Sequence, residues 1–261
     1  MPDAKPLSGL TVVITRPKAQ AEPLGRALRD SGAAVVECPV LEIAPLAASI
    51  APEQLMRASA IIFVSINAVE HGLPVLRDAG SIQAGTFVMA IGNATAAALR
   101  NAAIERVVSP QQSIDSEGLL ALPQLQQVRG QTIILIRGQS PTGGRTLIEQ
   151  TLTDRGAIVT VLECYERRGL QPTPAQREAL RTELAQAGQC AVMALSVETL
   201  DSLLDSVGDQ HALKRVPLLV PHPRVGSAAA DRGFTRVFEV PMSAPELIPA
   251  LAALKPQLLR H

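Results

Sequence analysis

At 261 residues, 47% hydrophobic and 18% charged, the chain is too apolar to stay disordered and too interrupted by charge to form a membrane-spanning bundle, leaving one or two globular domains. Its 24 basic and 24 acidic residues balance, so no global field recruits nucleic acid or an anionic membrane surface, and any anion site must be built locally. Aromatic residues amount to 2%, with one tyrosine and no tryptophan, which argues against stacking platforms for single-stranded nucleic acid or sugars.

The first predicted strand, residues 10–14, is too short to be a signal-peptide core and is followed by Arg16-Pro17, so a cytoplasmic protein is expected. Further apolar, β-branched runs follow at 34–37, 61–64, 87–91, 106–108, 132–136, 158–162, 191–195, 218–220 and 236–240. Ala/Leu-rich stretches of helical period separate them, the pattern of a mainly parallel α/β fold. Ten strands exceed one ordinary small sheet.

The chain also repeats itself. Gly9 to Arg16 (GLTVVITR) recurs as Gly130 to Arg137 (GQTIILIR), and each copy continues into a helix stopped at Gly32-Ala33 or Gly156-Ala157. Ile61 to Ser65 (IIFVS) is echoed by Val192 to Ser196 (VMALS), and Arg106-Val107 with Pro110 by Arg236-Val237 with Pro241. Residues 9–125 and 130–254 thus read as two copies of one unit, an organisation expected to give two lobes with a ligand cleft. The stretches 37–43 and 161–168 are extended with interleaved charges, and are predicted to carry the chain between lobes. Cys38, Cys164 and Cys190 are far apart, odd in number and without a CxxC spacing, so they are expected to be buried thiols in a reducing compartment.

In such a fold the carboxyl ends of strands and the amino ends of helices share one edge, where unpaired N–H groups favour anions. Thr15-Arg16, Ser65-Ile66-Asn67, Gly92 to Thr95, and Arg137-Gly138-Gln139-Ser140 running into Gly143-Gly144-Arg145 fall there, as do Ser196 and the run Pro221 to Arg224. Bland explanations exist for each: Ser65 and Ser196 are good helix N-caps, and Thr95 can bond back to its own helix. The loop after Arg137 resembles an anion cradle but lacks the glycine orders of nucleotide and dinucleotide sites, which disfavours ATP and NAD. His71, His211, His222 and His261 have no partner at metal-ligand spacing and are expected to be solvated. Tyr165 stands apart as the sole tyrosine, in the charged segment Glu163 to Arg168; it is either an amphipathic rim residue or a general acid that stays protonated near neutrality.

Five motifs in order give these features a common source. A strand ending Thr15-Arg16-Pro17, the segment 61–69 (IIFVSINAV), the segment 90–96 (AIGNATA), a strand ending Arg137-Gly138, and the Tyr165 crossing together resemble the uroporphyrinogen-III synthase family across almost the whole chain. The resemblance implies two similar flavodoxin-like, parallel-sheet α/β domains joined by a two-stranded β-ladder. Residues 1–38 plus 169–261 would form the first and 44–162 the second, with 39–43 and 163–168 as crossings. It implies a lyase of porphyrin biosynthesis that closes the linear tetrapyrrole hydroxymethylbilane into uroporphyrinogen III, losing water and inverting ring D through a spiro intermediate. No metal or organic cofactor is implied; the partner is a small-molecule polycarboxylate, with no nucleic acid or membrane, and the protein is expected to be a monomer. By position, Tyr165 would be the catalytic proton donor, while Ser65, Asn67, Thr95, Ser196, Arg16, Arg137 and Gly138 would bind substrate. Two departures stand out: Val64 occupies a place where the family often has Thr, and Gly226-Ser227 lies near another such place. The rival readings are a non-catalytic two-lobed polyanion-binding protein and a nucleotide-using α/β enzyme.

Overall fold

The computed structural model describes residues 5–111, 113, 115–139, 146–186 and 188–259. The predicted cradle residues Ser140 to Arg145, and His261, lie outside them. The chain opens with β1 (Thr11–Ile14), α1 (Lys18–Asp30), β2 (Ala34–Glu37) and β3 (Leu41–Pro45). It continues through α2 (Pro52–Met56), β4 (Ala58–Phe63), α3 (Ile66–Ala79), β5 (Phe87–Ala90), α4 (Asn93–Asn101), β6 (Val107–Val108) and α5 (Ser116–Leu120). Next come β7 (Thr132–Gly138), α6 (Leu147–Asp154), β8 (Ile158–Gly169), α7 (Pro174–Ala185), β9 (Cys190–Met193) and α8 (Val197–Ser206). The last elements are α9 (Gln210–Arg215), β10 (Leu218–Val220), α10 (Pro223–Asp231), β11 (Val237–Glu239) and α11 (Ala244–Leu258).

Two compact units result, Met1–Glu42 with Arg168–His261 and Ile43–Arg167. The first holds a sheet ordered β11-β10-β9-β1-β2, parallel throughout. The second is built on the order β3-β8-β7-β4-β5-β6, parallel from β8 through β6. In both sheets a strand–helix–strand from one sequence copy pairs with strands of the other copy: β1 joins β9, and β7 joins β4.

Central strands are apolar on both faces because helices cover both. In β7, Ile134 and Ile136 enter one core with Ile61 and Phe63 of β4, while Ile133 and Leu135 enter the other with Ala60 and Ile62. Burying each such side chain contributes about 1.5–3 kcal/mol, which fixes the register of β4 against β7 and so the position of whatever follows their ends. Gly32 and Gly156 take left-handed φ values of 94° and 85° just beyond α1 and α6, a conformation that glycine adopts without Cβ strain.

Differences from the predicted strands have physical causes. β4 starts at Ala58, three residues before its β-branched core, because pairing with β7 overrides the weak strand preference of Ala and Ser. β8 runs on to Gly169, well past residue 162, and residues 41–45 form a full strand beside it. Glu42 on β3 and Glu163, Glu166, Arg167 and Arg168 on β8 conceal these strands from an apolar pattern, and their half-buried or exposed positions let the sheet tolerate the charges.

Candidate active site

Within the second unit, the ends of β4, β5, β7 and β8 bring Ser65, Thr95, Gly138 and Tyr165 to one sheet edge. Ser65 is the N-cap of α3: its backbone is extended, and its Oγ accepts the Ala68 N–H at 3.0 Å. The same Oγ lies 2.9 Å from the Tyr165 hydroxyl. Tyr165 reaches it through a bulge. Arg137 pairs with Glu163, but the next residue, Gly138, pairs with Tyr165, so one β8 residue is extra. The bulge breaks the in–out alternation and buries both Cys164 and Tyr165, the latter to 3% exposure. Tyr165 is therefore a core residue of this edge and not a rim residue.

Its ring is held on two sides. A Cβ on Gly138 would stand 2.5 Å from Cε2 and 2.6 Å from Cζ of the ring, so only glycine fits there. On the helix side the His71 ring lies 5.8 Å away between centroids, tilted by 33°. Among the described residues the phenol has no hydrogen-bond partner besides Ser65. If Ser65 donated to the phenol oxygen, the phenol hydrogen would be buried unsatisfied, at a cost of about 1–3 kcal/mol. The favoured arrangement has Tyr165 donating to Ser65. Both Ser65 lone pairs are then occupied, by Ala68 N–H and Tyr165 O–H, and the serine hydrogen is left for a third partner.

The other predicted residues of this unit divide. Thr95 lies 5% exposed in the first turn of α4, and among the described residues its hydroxyl has no side-chain hydrogen bond, so the alternative of a bond back to its own helix does not account for it. Asn67 is buried in the first turn of α3. Arg137 is 8% exposed, with Nη2 at 3.0 Å from Glu163 and Nη1 at a looser 3.4 Å from Glu149. Its charge is committed to tying β7, β8 and α6 together. Gly138 serves the site as the seat of the Tyr165 ring.

The first unit has its own edge at the ends of β1, β9 and β10. Ser196 caps α8 by accepting the Thr199 N–H at 3.1 Å and shares a 2.9 Å hydrogen bond with the Thr199 hydroxyl. Thr15 donates to the Met193 carbonyl at 2.6 Å, locking β1 to β9. Arg16 donates through Nη2 to the Met242 carbonyl at 2.9 Å, and partial burial holds its guanidinium below the ordinary arginine value. His222 stands at the N-cap of α10 without a side-chain cap bond.

All three cysteines are buried, which pushes the thiols up to about 11 for Cys38 and Cys164 and about 12 for Cys190, away from thiolate chemistry. Among the described residues no three His, Cys, Asp or Glu side chains are grouped to hold a metal ion, and no helix is long and apolar enough to cross a membrane. Sequence reasoning missed two features: His71, expected to be solvated, packs on Tyr165, and Glu149 and Glu163 are the unforeseen partners of Arg137.

The profile of the family described as Uroporphyrinogen-III synthase HemD matches residues 22–245. The chain belongs to the uroporphyrinogen-III synthase family. Uroporphyrinogen-III synthase of Escherichia coli K12 is 31% identical over 240 residues, covering 86% of this chain and 92% of that one. The enzyme of the same name from Salmonella typhimurium LT2 is 32% identical over 235 residues, with the same two coverages. The fold is shared with the crystal structure of uroporphyrinogen-III synthetase from Helicobacter pylori 26695, at a TM-score of 0.64 and 12% identity over 94% of this chain and 99% of that one. A mutant uroporphyrinogen III synthase from the extremely thermophilic bacterium Thermus thermophilus aligns with a TM-score of 0.58 at 21% identity, over 95% and 98% of the two chains.

Proposed function

We propose that this chain is the lyase that cyclises hydroxymethylbilane to uroporphyrinogen III, expelling water and inverting ring D through a spiro intermediate. Loss of the terminal hydroxyl generates an electrophilic azafulvene. Ring D attacks it at its substituted α-carbon, and the spiro species opens and recloses inverted. The reacting atoms all belong to the substrate, so the protein contributes the pose of the folded chain and a proton for the departing water.

The observation that carries this reading is the tyrosine phenol fixed by a bulge, a glycine seat and a serine hydroxyl at a sheet edge, in a chain of this family. Tyr165 is the proton source. Thr95 and Asn67 lie at the amino ends of α4 and α3, where N–H groups and hydroxyls suit the acetate and propionate groups of the substrate, and Ser65 meets the substrate with its one remaining hydrogen. Ser196 and Arg16 bind carboxylates by the same chemistry. Arg137 acts through the residues it holds, since its charge is already met by two carboxylates. We further propose that the chain works as a monomer in the cytoplasm, a compartment that suits its three free, buried thiols.

The test is the isomer formed when purified protein, free of added cofactor, meets hydroxymethylbilane. Accumulation of the type III isomer is expected. Type I isomer alone, the product of spontaneous closure, would contradict the enzyme reading and favour a polyanion-binding protein.

A further inference from the structure

The phenol assigned as proton source is almost wholly covered, whereas the serine bonded to it is half-buried and caps the helix at the sheet edge. The favoured hydrogen arrangement leaves the serine hydrogen as the one that points to a further partner. From these observations, and resting on the proposed reading of Tyr165 as acid, we infer that Ser65 is itself a catalytic residue: it hands the proton to the leaving hydroxyl and is reprotonated by Tyr165.

The step balances. The Ser65 O–H bond breaks as its proton joins the hydroxyl of the hydroxymethyl group. The C–O bond breaks with its electron pair on the departing water. The Tyr165 proton moves across the 2.9 Å hydrogen bond to Ser65 Oγ, leaving a phenolate opposite the cationic azafulvenium. When the macrocycle closes and ring D sheds the hydrogen of its unsubstituted α-carbon, that proton returns by the reverse path. The arrangement needs no movement of the tyrosine ring, which Gly138 on one side and His71 on the other hold in place. The Ala68 N–H adds a fixed donor to Ser65 Oγ, making the serine hydrogen a better acid at the moment of transfer.

A double-mutant cycle at saturating hydroxymethylbilane, read as kcat for type III isomer, tests the relay. Ser65→Asn keeps an effective N-cap, so α3 stays anchored, but its amide cannot pass a proton. Ser65→Thr keeps both cap and hydroxyl. We expect Ser65→Asn and Tyr165→Phe each to lower kcat about 100-fold, the lower end of the range for one positioned proton donor. The double variant should be no slower than the slower single variant, and Ser65→Thr should recover most of what Ser65→Asn loses. Thermal unfolding of each variant reports the cap separately from the chemistry. The relay is overturned if Tyr165→Phe is slow while Ser65→Asn keeps its kcat, or if the two losses multiply in the double variant. Wild-type kcat in Tyr165→Phe would overturn the underlying acid assignment as well, so the two failures are distinguishable.

Discussion

The two sheet edges start from matching sequence and end with different wiring. Ser65 and Ser196 each close an apolar strand and cap the next helix, yet Ser65 bonds out to Tyr165 on another strand while Ser196 bonds inward to Thr199 on its own helix. The cause lies in the neighbouring strand. β8 pairs with β7 from Ile158 as β2 pairs with β1 from Ala34, and where Tyr165 follows Ile158 the equivalent count from Ala34 reaches Leu41. Arg16 and Arg137, equivalent in the repeat, diverge in the same way: one donates to a neutral carbonyl and the other sits between two carboxylates. The repeat supplies two similar scaffolds, and only one of them pairs its capping serine with a tyrosine.

The largest difference in stability should separate the two arginines. Arg137→Ala leaves the Glu149 and Glu163 carboxylates without their shared cation and should cost about 3 kcal/mol, in line with breaking a buried pair. Arg16→Ala loses a hydrogen bond to a neutral carbonyl and should cost about 1 kcal/mol. Urea midpoints at constant slope measure both, and equal losses would erase the distinction.

Two glycines give a second contrast. Gly138→Ala drives a methyl into the Tyr165 ring and should cost about 1–3 kcal/mol while lowering turnover along with it. Gly226→Ala in α10 meets its nearest neighbours at 3.6 and 3.7 Å, so the helix interior should gain up to about 1 kcal/mol. Melting temperatures of opposite shift are expected; a harmless Gly138→Ala would mean the ring is not held as described.

Smaller effects are expected at the capping serine of the first unit. Ser196→Ala should cost about 1 kcal/mol as a lost cap and raise KM without slowing the chemical step. A fall in kcat to match a Ser65 variant would make the two edges equivalent. Smallest of all, the three cysteines should resist iodoacetamide at pH 8 in the folded protein, because burial raises their thiols to about 11 or 12, and react once urea unfolds it. Mass spectrometry of the alkylated chain reads this directly.

Most of the fold was legible because a parallel sheet writes itself as short apolar runs between helical stretches, and the repeat showed as matching strings such as GLTVVITR and GQTIILIR. What was hidden depended on pairing across long separations. The far half of β8 carries charges that mask a strand, and its bulge, which turns Tyr165 from rim to core, is a register shift against β7 that no local pattern records. The candidate site residues Ser65, Thr95 and Tyr165 could be singled out by type and position. That Ser65 touches Tyr165, 100 residues away, and that Arg137 is matched by Glu149 and Glu163, emerged with the tertiary structure.

The phenol of one edge is assigned chemistry that the other edge, which has no tyrosine, cannot perform. The most direct measurement is the kcat of Tyr165→Phe for type III isomer from hydroxymethylbilane, with the isomer ratio recorded in the same assay. The ring and its packing against Gly138 survive this change, so the protein should fold normally. We expect kcat to fall at least tenfold, with enzymatic product still of type III and a growing background of type I from uncatalysed closure. Wild-type kcat across the pH range would contradict the assignment and leave Tyr165 as a packing residue.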